Sequence, residues 1–285
     1  MEVVDNNIIK KLAYRLVKRH IAGFNMEAVL DTTRKLNQKG FSATITFLNE
    51  HVNDRVKAKY NANAYVQLLR QLSRLHLNAG ISLRLSQLGY GISEEDGIRN
   101  LEEIIDAAKS TSKPVWMENT NGINMQKIYN WTRARYNGVG IEVPIGYNAQ
   151  KGCRLKIRYH IQHMLSDSKI GKNPKSEKRL MQEFGERIAK ISEKAESLVV
   201  LEKKPEIIEK LSSISKGKRN LIFELPLGYE KKMEKAGGMQ NMSIYVPYGR
   251  DWVPYIISSI AEGRIKKVAT TLLDGEKYEG GKSNA

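Results

Sequence analysis

The feature that most constrains this chain is a regular alternation of short apolar segments, rich in β-branched residues, with longer segments of helical periodicity. Strands that alternate with helices favour a parallel sheet, because each helix returns the chain to the same edge. Eight short segments of this kind follow one another along the 285 residues. The predicted strands are 43–48, 81–85, 114–118, 139–143, 154–159, 197–201, 220–224 and 243–246.

Eight such units predict a closed α/β barrel, a (β/α)8 TIM-like fold. The link between the fourth and fifth strands, at Gly146–Gly152, is too short for a full helix, so we expect a short or missing helix there. An open, doubly wound sheet is the alternative. No G-x-G-x-x-G motif follows the first strand, which counts against a dinucleotide-binding domain of the Rossmann type.

The domain organisation follows from the same pattern. Residues 1–40 are predicted to form a helical segment packed on the barrel, with Ile8, Leu12 and Leu16 at helical spacing. The barrel is predicted over residues 41–273. Residues 274–285 are rich in Gly, Lys and Glu and are expected to form a flexible tail.

Composition limits the function classes. The formal net charge is +16, which we interpret first as a solvated surface, with a functional basic patch as the alternative. No nucleic-acid-binding motif accompanies that charge, so no nucleic acid partner is expected. The one cysteine, Cys153, excludes an internal disulfide and a Cys-based zinc site, and no histidine pair predicts a metal site. No apolar run approaches the roughly 18 residues of a membrane span, and no signal peptide is evident, so a cytoplasmic location is expected.

In a barrel of this type, the functional residues lie at the carboxyl ends of the strands. Lys156 is one such residue, and it is predicted either to bind a cofactor phosphate or carboxylate or to form a salt bridge inside the barrel. The other polar side chains expected at this end are Asn49, Glu50, Arg84, Ser86, Glu118, Asn119, Glu142, Arg158, Tyr159, Glu202, Lys203, Glu224, Tyr245 and Tyr248.

Six segments, in the expected order on the expected strands, resemble motifs of the proline dehydrogenase family. The last of them has the sequence Y-V-P-Y-G-R-D-W-V-P-Y-I-I-S-S-I-A-E and is the closest match. The second strand resembles S-[VI]-K-L-S-A-L-G, the third I-D-M-E and the fifth R-L-V-K-G-A-Y. The six segments are Ile81–Gly89, Val115–Glu118, Gly138–Glu142, Cys153–Tyr159, Leu198–Ile208 and Tyr245–Glu262.

The resemblance implies an FAD-dependent flavoprotein of proline catabolism, which oxidises L-proline to 1-pyrroline-5-carboxylate by hydride transfer to flavin. It implies catalytic roles for Tyr159 and Tyr245, to which we add Arg84. It places Lys156, Arg154, Glu142 and Lys203 at the cofactor. It places Ser258, Ser259 and Glu262 at the substrate.

Several positions differ from the family pattern. Ser258 and Ser259 replace two arginines that bind the substrate carboxylate, and a bidentate guanidinium contact is difficult to replace with a hydroxyl. Arg84 replaces a lysine and is our candidate for a substitute guanidinium. The remaining differences are Trp116 for aspartate, Glu142 for glutamine, Lys203 for histidine, and Cys153 for an arginine whose counterpart is Arg154 if the register slips by one.

These differences leave alternative functions open. One is oxidation of another amine, and another is a non-catalytic binding or subunit protein. For an enzyme, the resemblance implies a small-molecule substrate and a quinone or protein electron acceptor. A quinone acceptor would bring the protein to the inner face of the membrane, with which a basic surface is consistent. Monomer and oligomer both stay open.

Overall fold

The computed structural model describes residues 18–49, 52–120, 122–143, 148–158, 174–202, 204–214, 219–235 and 241–261. Its centre is a closed barrel of eight parallel strands in sequence order, in which the first strand also pairs with the last. The strands are β1 (Ser42–Phe47), β2 (Ala79–Leu83), β3 (Val115–Met117), β4 (Val139–Val143), β5 (Arg154–Arg158), β6 (Ser197–Leu201), β7 (Leu221–Pro226) and β8 (Met242–Tyr248). The predicted barrel is therefore confirmed, and the open sheet is excluded.

The first α-helix precedes β1, and each later α-helix follows a strand. The helices are α1 (Met26–Gln38), α2 (Arg55–Arg74), α3 (Glu94–Thr111), α4 (Met125–Arg135), α5 (Pro174–Lys194), α6 (Pro205–Ile214), α7 (Glu230–Lys235) and α8 (Trp252–Ala261). Polar residues cap their amino ends: Asn25, Asp54 and Ser93 accept a backbone N–H of the first turn of α1, α2 and α3.

The two faces of the strands differ in chemistry, because side chains alternate along each strand. One set is apolar and belongs to the main hydrophobic core, as Ile45, Ile81 and Ile244 do. The alternate set faces the barrel interior and is largely polar, as Ser82 and Lys156 are, both fully buried. The sequence thus produces an apolar layer under the helices and a polar layer inside the barrel.

The second strand begins and ends two residues earlier than the sequence predicts. Gly80 lies within β2, where a Cβ atom would come 2.5 Å from the Pro114 carbonyl oxygen. The glycine therefore permits the close approach of the segment entering β3. A 3-10 turn at Leu85–Leu88 follows the strand, and the Gln87 side chain accepts the Arg84 N–H at 2.9 Å.

The predicted domain limits stay predictions. Helix α1 packs against β1 and β8, as expected of the end of the 1–40 segment. Residues 1–17 and the predicted tail at 274–285 lie outside the described residues. Within the described residues, no helix combines the length and hydropathy needed to cross a bilayer.

Candidate active site

A hydrogen-bonded carboxylate, Glu118, lies directly after β3 and is 2% exposed. Its Oε1 atom accepts the Ser82 hydroxyl at 2.8 Å and the Tyr245 hydroxyl at 2.6 Å. Its Oε2 atom accepts the Arg84 Nε at 2.9 Å, and the Arg84 side chain is 25% exposed. Donors from β2 and β8 and from the turn after β2 therefore converge on one buried charge. We call these four residues the Glu118 network.

A second buried charge pair lies across the barrel interior from β5 to β7. The Lys156 Nζ atom is 2.6 Å from Glu224 Oε2, and both side chains are fully buried. The Nζ atom also lies 5.0 Å from the ring centroid of Tyr245 and 5.9 Å from that of Trp116, within the range of cation–π attraction. A buried cation needs such partners, because removal from water costs several kcal/mol per ion.

Trp116 occupies the interior where the resemblance would place an aspartate. A Cβ atom on Gly140, its partner on β4, would lie 2.3 Å from the indole ring. The glycine therefore makes room for the ring, and any larger residue at 140 would displace it. The indole replaces a carboxylate by apolar surface beside Lys156.

Two further carboxylates lie near this end of the barrel. Glu142 on β4 is half-buried and pairs in register with Lys156. Glu202 follows β6, is 7% exposed and accepts the Lys204 N–H at 3.1 Å. The described parts of the chain contain no cluster of three or more His, Cys, Asp or Glu side chains able to hold an ion.

The structure brings together four of the predicted site residues, namely Tyr245, Arg84, Lys156 and Glu142. The salt bridge foreseen as the alternative for Lys156 is present. Three others, Tyr159, Lys203 and Glu262, lie outside the described residues. Ser258 and Ser259 fall in α8, directly after β8, where only the backbone is described.

Arg154 lies elsewhere. It begins β5 at the amino end of the barrel, where its Nε is 3.0 Å from Glu196 Oε1, and it lines a cavity of about 160 Å³ at that end. Lys156, two residues further along the same face of β5, therefore lies in a different environment, nearer the carboxyl end of the barrel. Ser82 was not singled out from the sequence, because the predicted strand ended at Leu85 and placed Ser82 deep inside the barrel.

Comparison with known proteins identifies proline dehydrogenases among the relatives of this chain. No family model matches the chain. Proline dehydrogenase 1 of Bacillus subtilis is 22% identical over 262 residues, covering 86% of each chain, and proline dehydrogenase 2 of the same species is 24% identical over 258 residues, covering 85% of this chain and 84% of the relative. Proline utilization A from Bdellovibrio bacteriovorus, in a structure inactivated by N-propargylglycine, superimposes with a TM-score of 0.68 at 12% identity. That match covers 92% of this chain, which spans about a third (33%) of the larger protein.

Proposed function

Because the chain is a divergent member of the proline dehydrogenase family, we propose that it is an FAD-dependent oxidoreductase that converts L-proline to 1-pyrroline-5-carboxylate. The observation that supports this most directly is the Glu118 network. It fixes a tyrosine hydroxyl and a partly exposed guanidinium beside one another at the carboxyl end of the barrel, where the substrates of such barrels bind.

Arg84 is the proposed partner of the substrate carboxylate. Its Nε donates to Glu118, which orients the guanidinium plane, and a quarter of the side chain is exposed. A fixed guanidinium binds a carboxylate through charge-assisted hydrogen bonds. Ser258, Ser259 and Glu262 are proposed to complete the substrate pocket, and Tyr159 to form a wall of it.

Lys156 and Glu142 fit the polar edge of a flavin ring. An ammonium group has three donors, and within the described residues the Lys156 Nζ has one ion-pair partner, Glu224. A bound flavin ring would offer carbonyl acceptors for the remaining donors and an N–H donor for a carboxylate such as Glu142. Lys203 is also proposed to contact this cofactor. Arg154 lies at the opposite, amino end of the barrel, and this position does not support a direct contact with the cofactor.

The protein's part in the chemistry is mainly orientation. Bound FAD would supply the hydride acceptor, so the difficult step belongs to the cofactor. Arg84 would hold the carboxylate of proline, which sets the direction of the ring carbon that loses hydride. Tyr245, held by Glu118 and packed beside Lys156, would form the buried wall that excludes water from that carbon.

A second candidate is oxidation of an amine without a carboxylate. It is favoured by the serines at positions 258 and 259 and by the pairing of Arg84 with Glu118, which offsets the charge of that guanidinium. A non-catalytic barrel is the further alternative. The electron acceptor, a quinone or a protein, contact with the inner face of the membrane, and oligomerisation are proposed only on the resemblance.

The visible absorption spectrum of the purified protein, with and without added FAD, tests the proposal when L-proline is then added without oxygen. We expect bound flavin that bleaches with proline. Bound flavin that proline fails to reduce would indicate another amine. A folded protein that binds no flavin in excess FAD would establish the non-catalytic alternative.

A further inference from the structure

A second cavity lies outside the barrel wall, between α1 and α2. Its volume is about 640 Å³, within the size range of small-molecule pockets. Its floor includes Phe47 and Tyr248, the last residues of the paired strands β1 and β8. Their ring centroids are 5.0 Å apart, and both residues belong to the apolar layer under the helices. Tyr245, in the barrel interior, belongs to the other face of the same strand, so this cavity is separate from the candidate active site.

The walls are aromatic and remain accessible. Tyr60 on α2 is 60% exposed, and Phe24 just before α1 is 43% exposed. The backbone fixes the segment that holds Phe24, since Gly249 N–H donates to the Gly23 carbonyl at 2.9 Å and Ala22 N–H to the Pro247 carbonyl at 2.9 Å. Backbone hydrogen bonds to residues at the end of β8 therefore hold the segment that carries Phe24 in place.

One polar group at the floor of this cavity has no hydrogen-bond partner among the described residues. Tyr248 is 2% exposed, and its hydroxyl makes no hydrogen bond within the described part of the chain. Burial raises the pKa of this phenol, with smaller contributions from Tyr65 and Tyr60, so the group stays a neutral donor at physiological pH. Leaving a buried donor unsatisfied costs about 1–3 kcal/mol. An acceptor atom on a ligand would remove that cost.

The cavity also has a cationic edge. Arg250 is the one ionised side chain among the lining residues, and no carboxylate pairs with it within the described residues. Asp251 lines a smaller adjoining cavity of about 210 Å³, and its Oδ2 is 3.6 Å from Lys57 Nζ, which offsets its charge. The charge at the edge of the cavity is therefore positive.

We propose that this cavity is a binding site for a small aromatic anion, whose ring packs among Phe24, Phe47 and Tyr60 and whose anionic group binds Arg250. An acceptor atom of the same ligand accepts a hydrogen bond from the Tyr248 hydroxyl. The side-chain amides of Asn63 and Gln67 line the wall on α2 and offer further neutral contacts. The site does not depend on the reaction proposed for the barrel interior.

A matched pair of probes tests the charge requirement. Binding of 2-naphthoate and of the neutral 2-naphthamide to the full chain is measured by calorimetry. We expect the carboxylate to bind at least tenfold more tightly than the amide, and Arg250→Gln to remove this difference. Arg99→Gln, an exposed arginine of α3 that pairs with Glu95, is the matched control and should retain it.

Two further variants test the location. Tyr248→Phe should weaken the binding of 2-naphthoate severalfold, and Ala64→Trp, which fills the cavity from α2, should abolish it. Circular dichroism and the melting temperature establish that each variant is folded; if Tyr248→Phe unfolds, Ala64→Trp and Arg250→Gln decide. Tyr245→Phe should leave binding unchanged, because it lies on the other face of β8. Absence of binding to the unmodified chain, equal affinity for the two probes, or affinity insensitive to Arg250→Gln and Ala64→Trp would overturn the proposal.

Discussion

Two buried carboxylates inside the same barrel are stabilised in different ways. Glu118 accepts hydrogen bonds from three side chains, one of which extends to the barrel mouth. Glu224 has a single ion-pair partner among the described residues, Lys156, and both are fully buried. A charge shared among several donors tolerates the loss of one of them, whereas a two-member pair does not. We therefore expect the Glu118 network to matter mainly for substrate and the Lys156–Glu224 pair mainly for stability.

The largest expected effect follows from removing Lys156. Lys156→Met leaves the Glu224 carboxylate buried without its cation, and breaking a buried pair in this way costs about 3–5 kcal/mol. Urea unfolding followed by circular dichroism measures the difference. The double variant Lys156→Met with Glu224→Leu removes both charges, and we expect it to recover most of the loss. If the double variant is no more stable than the single one, the cost does not come from an uncompensated charge.

Arg84 is expected to affect activity more than stability, because its side chain is partly exposed and therefore contributes less to folding. Arg84→Ala should lower kcat/KM for L-proline about a hundredfold or more, because two charge-assisted hydrogen bonds at about 1.5–3 kcal/mol each would be lost. Its free energy of unfolding should change by less than that of Lys156→Met. Steady-state kinetics with an artificial electron acceptor measures the first effect. Unchanged turnover would refute the role of Arg84 in binding the carboxylate.

Tyr245→Phe tests how well the Glu118 network tolerates a missing member. The variant removes the 2.6 Å hydrogen bond but keeps the ring beside Lys156, and Ser82 and Arg84 still donate to Glu118. We expect a loss of about 1.5–3 kcal/mol in unfolding free energy, typical of one hydrogen bond to a charged group. A loss as large as that of Lys156→Met would show that the two carboxylates do not differ in the way proposed.

The sequence was sufficient for the barrel but not for its internal contacts. Alternation of strand and helix patterns determines the closed parallel sheet, and strand-end position together with the resemblance identified Lys156 and Tyr245. Tyr245 and Glu118 are 127 positions apart in the chain, and their contact depends on how the interior side chains of β8 and β3 meet across the closed barrel.

The surroundings of Arg154 and Ser82 were not predicted from the sequence. Both depend on where a strand begins or ends. Arg154 and Lys156 both have side chains of the interior-facing set, but Arg154 is the first residue of β5 and belongs to the amino end, whereas the resemblance grouped the two at the cofactor. The position of Ser82 relative to the carboxyl end of the barrel depends on where β2 ends, and the 3-10 turn at Leu85–Leu88 determines that end. An apolar strand pattern that continues into a turn gives no local signal of its end.

The smallest expected effect concerns Glu196, an exposed carboxylate at the amino end that contrasts with both buried ones. Burial raises its pKa, but hydrogen bonds from Arg133 and Arg154 outweigh burial and hold the pKa below the usual value. A carboxyl whose pKa is lower in the folded state stabilises the fold above its unfolded pKa of about 4.3, and this contribution disappears as the pH falls through the folded value. Because the three side chains are partly exposed to solvent, the difference in unfolding free energy between the unmodified chain and Glu196→Gln should stay within about 0–1 kcal/mol at pH 7. Unfolding measured from pH 7 down to pH 3 should show that difference shrinking, whereas a difference independent of pH would mean that packing, and not the charge of Glu196, accounts for it.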